Sequence, residues 1–148
     1  VIERITLQWL AGFFDGEGSV CCTRTRQGAY KWRIIVAITQ NDEGLLEAIR
    51  AKYPEFRFRK AQRKHGAGRV RGLDIMIDGS KCAIFLEAIR PYVIRKLIDV
   101  ETGLEFCRTI REFTKGKRRN LGLTEEQHSI REALVEKLKL GRMKDSIN

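Results

Sequence analysis

The sequence predicts an α+β domain. One four-stranded antiparallel sheet carries helices on one face, in the order helix, hairpin, helix, hairpin, helix, with extra helices at the C-terminal end. Three observations lead there. Apolar and polar residues alternate from Tyr30 to Gln40 and again across 56–78, the period of half-buried strands. Stripes at helical spacing precede and follow the first alternating region: Leu7, Leu10 and Phe14 before it, Leu45, Leu46 and Ile49 after it. Two turn signals, Gln27-Gly28-Ala29 and His65-Gly66-Ala67-Gly68, fall where a pair of strands would reverse direction.

Each element has a local reason. Thr6 can cap the first helix by accepting a free backbone N–H of its first turn. Ser19 to Arg26 reads as the first strand and Tyr30 to Gln40 as the second, with Trp32, Ile34, Val36 and Ile38 inward and Lys31, Arg33, Ile35 and Ala37 outward. Asn41 is expected to cap a helix from about Asp42 to Lys52, which Tyr53-Pro54 ends because a residue before proline avoids the helical region. Phe56 to Lys64 and Arg69 to Asp78 form the second hairpin. Ser80 starts a helix through Ile89, stopped by Pro91, and Ile94 to Phe113 forms a longer one. After the basic loop Lys115-Gly116-Lys117-Arg118-Arg119, the capping box Thr124-Glu125-Glu126-Gln127 opens a last helix to about Leu140, with a frayed tail after Gly141.

The 148 residues suit one domain, with a core over about 5–113 and a helical extension over about 114–148. No apolar run approaches the ~20 residues of a membrane span, and no signal peptide is visible, since Glu3 and Arg4 precede a helix that carries acids. A net charge of +10 points to a polyanion, most often nucleic acid. A membrane surface is disfavoured because no single helix gathers the positive charge on one face. Cys21, Cys22, Cys82 and Cys107 show no C-x-x-C spacing, and only His65 and His128 could join them, which argues against structural zinc. They read as reduced, mostly buried thiols of an intracellular protein.

The chain is organised around Leu10-Ala11-Gly12-Phe13-Phe14-Asp15-Gly16-Glu17-Gly18. Trp9, Gly12 and Gly16 share one side of the first helix, which is therefore almost bare. Two glycines in a short helix cost about 1 kcal/mol each relative to alanine, so close approach of another backbone is the natural reason for them. Asp15 and Glu17 sit at the helix C-terminus, which repels carboxylates and favours a cation such as a divalent metal. The run resembles the LAGLIDADG signature of homing endonucleases. Leu10, Ala11, Gly12, Asp15 and Gly18 match it, Phe13, Phe14 and Gly16 depart where the family is loose, and Glu17 keeps the carboxylate of its last aspartate. Leu97-Ile98-Asp99-Val100-Glu101-Thr102-Gly103 is a decoy for a second signature. Arg95 and Lys96 replace the small residues needed before it, and the helical pattern continues through Leu104, Cys107 and Ile110.

The hairpins carry the positive charge. No acid lies between Glu17 and Asp42 or between Glu55 and Asp74, whereas ten or more basic residues fill those windows. A two-stranded ribbon fits the major groove, where Arg and Lys can read guanine and Gln adenine. The resemblance implies that use: a saddle-shaped sheet along double-stranded DNA. Parity nominates Thr23, Thr25, Lys31, Arg33, Arg57 and Arg59 as outward-facing contacts; Gln62, Arg63, Arg69 and Arg71 depend on whether a bulge near the tip switches faces.

Phosphodiester cleavage needs an activated water, a neutralised phosphate and a stabilised leaving oxygen, all of which metal ions can supply. The resemblance assigns Mg²⁺, with Mn²⁺ or Ca²⁺ as substitutes, to Glu17 and the Gly16 carbonyl, and leaves Asp15 to support the helix end. It also implies that Gln40 positions water and that Lys96, with Arg95 as fallback, polarises solvent near the scissile phosphate. Gln40 could equally cap a helix, and Lys96 could be an ordinary solvated lysine. A further family base is absent from Asp42-Glu43-Gly44. One carboxylate per chain is too few to cut two strands, so a homodimer joined through Trp9, Gly12, Phe13 and Gly16 is expected. The resemblance thus implies an intron-encoded endonuclease making a double-strand break in a long, pseudo-palindromic DNA target. The alternative on the same fold is a maturase acting on intron RNA or a non-cleaving DNA-binding regulator.

Overall fold

Thr6 does start the first helix: its Oγ1 accepts the Trp9 N–H at 3.1 Å, and helix α1 runs Leu7–Glu17. These coordinates come from a computed structural model that describes residues 2–25, 32–64, 70–115 and 122–147, with the side chains of 63, 64, 70–72 and 142–147 outside the description. Among the described residues there follow β1 (Gly18–Arg24), β2 (Trp32–Gln40), α2 (Glu43–Lys52), β3 (Arg59–Lys64), β4 (Val70–Asp78), α3 (Cys82–Ile89), α4 (Leu97–Thr114) and α5 (Glu125–Ile147). The four strands form one antiparallel sheet in the order β1-β2-β4-β3.

Alternation sets the two faces. Val20, Cys22, Ile34, Val36, Ile38, Ile75 and Ile77 are buried in one row beneath the helices. Ser19, Cys21, Thr23, Arg33, Ile35, Thr39, Met76 and Asp78 form the other row, by the register Thr23↔Arg33, Cys21↔Ile35, Ala37↔Met76 and Ile35↔Asp78. An aromatic cluster seals the helix side: Phe14, Phe56 and Phe58 each meet Phe85 edge-on, with centroids 5.0–5.3 Å apart. Gly18 is needed for that packing, because a Cβ there would lie 2.0 Å from the Phe14 ring. Gly103 has the same function, since a Cβ would crowd Leu86 at 2.9 Å and Val20 at 3.0 Å as α4 crosses the sheet. The decoy around Gly103 is thus the interior of α4.

Several boundaries differ from expectation, each for a local reason. Asp42, not Asn41, caps α2, with Oδ1 accepting the Leu45 N–H at 3.1 Å. The third strand begins at Arg59 rather than Phe56. Pro54–Phe56 forms a short 3-10 turn that Arg57 closes in the left-handed region at φ 57, so that Phe56 and Phe58 can both reach the core. The long helix starts at Leu97 rather than Ile94 because Asp15 takes the N–H groups of 94–96. The capping box holds, with Gln127 N–H donating to Thr124 Oγ1 at 3.2 Å and Thr124 N–H to Gln127 Oε1 at 3.0 Å. Helix α5 then continues past Gly141 to Ile147, where a frayed tail was expected. It belongs to the core: Val135 and Leu138 are buried, and Glu132 accepts the Trp32 indole N–H at 2.9 Å. None of the four cysteines is in a disulfide, and burial raises the thiols of Cys82 and Cys107, the latter to about 11.

Candidate active site

The acids at the end of α1 divide their labour. Asp15 is half-buried and turned inward. Its Oδ2 accepts the N–H of Ile94 at 2.7 Å and of Arg95 at 3.2 Å, and its Oδ1 that of Lys96 at 3.0 Å. These groups lead into α4, whose own N-cap residue, Lys96, makes no side-chain cap. Asp15 supplies that missing cap from 80 residues away in sequence, and its charge suits the positive end of the α4 dipole. Lys96 returns the contact: its Nζ donates to the Asp15 backbone carbonyl at 2.5 Å, and the residue is only 8% exposed. A cation beside the last carbonyls of a helix is favourably placed. The start of α4 and the end of α1 are therefore locked together in both directions.

Glu17 stands apart. It is exposed, and its carboxylate has no hydrogen-bond or ion-pair partner among the described residues. Gly16 beside it is also exposed. Gly18 pairs with Ile38, which brings the end of β2 alongside the end of α1. Gln40, two residues further on, has its Oε1 on the Asn41 N–H at 2.8 Å, leaving its amide nitrogen for another acceptor. Glu17, Gln40 and Lys96 thus come from three elements to one edge of the domain. Oxygen donors from a carboxylate and a backbone carbonyl suit a hard cation such as Mg²⁺. Among the described residues no group of three or more His, Cys, Asp or Glu side chains could hold a metal.

The glycine side of α1 is bare. A Cβ built on Gly12 or on Gly16 would meet nothing within 4 Å among the described residues. Trp9 stacks on Phe13 at 4.9 Å and remains 38% exposed. Elsewhere on the surface Tyr92, Ile94, Leu97 and Ile98 are exposed, Ile94 to 86%. The sequence alone does not reveal this exposure, because the helical pattern runs through Ile94 and Leu97.

Among the described residues no helix covers the outward face of the sheet. Thr23 and Arg33 lie opposite each other and are exposed, Arg59 is exposed on β3, and Thr25 follows the end of β1. Arg57 lies before β3, in the left-handed turn. Gln62 pairs with Leu73, in the row of the helix-facing residues, at an edge where the ladder is irregular between Gln62 and Lys64. Lys31 and Arg69 lie outside the described residues, and of Arg63 and Arg71 only the backbone is described.

No protein-family profile matches the chain, and no curated protein matches it by sequence. Solved structures do match by fold. The homing endonuclease I-CvuI in complex with DNA superposes with a TM-score of 0.59 at 19% identity, over 89% of this chain and 96% of its own. The LAGLIDADG homing endonuclease I-LtrWI, bound to target DNA, gives 0.69 at 20% identity, over 90% of this chain and 44% of its own. The fold is that of the LAGLIDADG endonucleases. The archaeal intron-encoded endonuclease I-Vdi141I, complexed with DNA, gives 0.60 at 17% identity over 95% of this chain and 99% of its own. In LAGLIDADG terms, Leu10–Gly18 spans the last two turns of α1 and the first residue of β1, with its two acids on either side of Gly16. The chain carries one copy of this fold, nearly the full length of I-CvuI and I-Vdi141I and under half that of I-LtrWI.

Proposed function

We propose that this chain is a member of the LAGLIDADG family and acts as a homodimeric, Mg²⁺-dependent, site-specific DNA endonuclease, intron-encoded and cutting both strands of a long, pseudo-palindromic target. The observation that carries the reading is the contrast at the end of α1. Asp15 is fully used in fixing α4, whereas Glu17, two residues on, is an exposed carboxylate without a partner among the described residues. An unpaired acid at the negative end of a helix dipole is unfavourable for folding and favourable for a divalent cation.

Glu17 and the Gly16 carbonyl would hold the metal, which when bound would activate water and neutralise phosphate charge. Lys96 supplies a fixed positive charge next to that edge, and Gln40 offers an amide N–H₂ that can orient a water. The homodimer is supported by the bare strip at Gly12 and Gly16, with Trp9 and Phe13 beside it. A two-fold axis along that strip would bring two Glu17 residues together and repeat the basic sheet on both sides. Such a protein reads a roughly palindromic site. Thr23, Arg33 and Arg59 of the outward face would make the contacts in the major groove. No described helix is long and apolar enough to cross a membrane.

The test is cleavage of a duplex spanning the insertion site of the protein's own gene, with Mg²⁺ and with a chelator. Double-strand ends that require the metal support the reading. Tight, sequence-selective binding with no cleavage in any divalent metal would replace it with a DNA-binding regulator, and preferential binding of the flanking intron RNA would replace it with a maturase.

A further inference from the structure

The outward face of the sheet holds an acid that neither folding nor cleavage uses. Asp78 ends β4, opposite Ile35 and thus in the outward row. Its Oδ2 lies 3.4 Å from Arg33 Nη1 and 3.7 Å from Arg59 Nη2. Since β4 lies between β2 and β3, one carboxylate oxygen faces arginines arriving from both neighbouring strands.

A structural role for Asp78 is weak. It occupies the N-cap of the 3-10 turn Gly79–Lys81, yet its side chain makes no capping bond there. Its side chain is 30% exposed and those of the arginines 48% and 49%, a degree of exposure at which ion pairs contribute little to stability. The neighbouring outward acid differs: Asp74 is 5% exposed and accepts the Thr39 hydroxyl at 2.6 Å. Asp78 is therefore the acid that this face presents to solvent, in the middle of a surface whose other features favour a polyanion. Its charge opposes phosphate.

What Asp78 does provide is geometry. A guanidinium has five N–H donors in a rigid fork. Each arginine turns one nitrogen to Asp78 and keeps the rest for a partner. Side chains held this way lose less freedom on binding than free ones. The guanine edge in the major groove offers two acceptors, N7 and O6, that such a fork can meet. A random sequence offers that pair of acceptors at the right places only by chance, and elsewhere its phosphates meet the Asp78 charge instead.

Resting on the DNA-endonuclease reading above, we infer that Asp78 is a specificity-determining positioning residue. Its carboxylate fixes Arg33 and Arg59 for guanine readout and penalises sequence-independent contact with phosphate, so it lowers affinity in general and raises discrimination.

The experiment compares wild type, Asp78→Asn, Asp78→Ser and the double variant Arg33→Ala/Arg59→Ala. Each is measured for binding to a random-sequence duplex across a salt series, and for the sequences it retains from a randomised duplex pool. Thermal unfolding confirms that each is folded. Asp78→Asn should bind the random duplex roughly fivefold more tightly at low salt. Its log–log salt slope should steepen by up to about 0.9 for each phosphate contact the freed arginines gain. The retained sequences should lose guanine preference at the base pairs those arginines read. Asp78→Ser, which removes the same charge with a smaller side chain, must move both readouts the same way. Unchanged random-duplex affinity, or unchanged guanine preference, in the folded Asp78 variants overturns the inference. The double arginine variant separates the two layers. If it binds and selects like wild type, the DNA face itself is misassigned; if it loses both while the Asp78 variants do not change, only the positioning role fails.

Discussion

Asp15 and Glu17 are both short-range neighbours of Gly16, yet they should respond oppositely to loss of charge. Asp15→Ala removes the acceptor for three backbone N–H groups at 2.7, 3.2 and 3.0 Å. A hydrogen bond to a charged group contributes about 1.5–3 kcal/mol, and an abandoned donor costs its desolvation. The site is only half-buried, so water recovers part of that loss, and two oxygens serve the three donors. The net cost should be about 3 kcal/mol, or roughly 9 °C in Tm for a domain of this size. Glu17→Gln removes an exposed carboxylate with no described partner and should lie within about 0.5 kcal/mol of wild type. Urea unfolding followed by circular dichroism, at one fixed chain concentration because association adds to apparent stability, gives both values. Equal destabilisation by the two variants, or a stable Asp15→Ala, would refute the division of labour.

Other outcomes follow from the same geometry. Gly18→Ala places a Cβ where the buried Phe14 ring stands and should cost about 2–3 kcal/mol in the same unfolding assay. A Cβ at Gly12 meets nothing within 4 Å among the described residues, so Gly12→Leu should fold but sediment near 17.1 kDa, where wild type should sediment near twice that mass, and it should lose double-strand cleavage. Lys96→Met should cut at least about a hundredfold more slowly while its gel-shift affinity for DNA changes little. Burial holds the Cys107 thiol at about 11 and that of Cys82 higher still, so native alkylation near neutral pH, read by mass spectrometry, should modify Cys21 and spare both. The same shifts make the folded state the better proton binder above the ordinary thiol pKa of about 8.5. Their contribution to stability is thus present below that pH and lost as pH rises beyond it.

Much of this was legible in the sequence because it depends on local rules. The alternation in 32–40 and the caps at Thr6 and Thr124 act over a few residues, and the structure keeps them. So does the turn of the chain at Gly16-Glu17-Gly18. The departures come from contacts between segments far apart in sequence. Nothing near Ile94 in sequence forbids a helix there; Asp15, 79 residues earlier, takes its N–H. Alternation favours a strand at Phe56, but Phe85 draws both Phe56 and Phe58 inward across an irregular turn. Which strands become central is also a long-range outcome, and with it the meeting of Arg33, Asp78 and Arg59. Asp78 looked like the end of a strand, and only the order β2-β4-β3 makes it a partner of two arginines.

The central claim is that Glu17 is the metal-binding acid of a DNA-cutting dimer, and capture of double-strand ends from a randomised plasmid library tests it most directly. Wild type in Mg²⁺ should release ends that share one roughly palindromic sequence and should release none in chelator. Glu17→Gln should bind that same sequence in a gel shift with similar affinity, because the amide keeps the shape, and should leave it uncut. Cleavage by Glu17→Gln at a rate comparable to wild type would contradict the account at its centre, as would a wild type that binds the sequence and never cuts it.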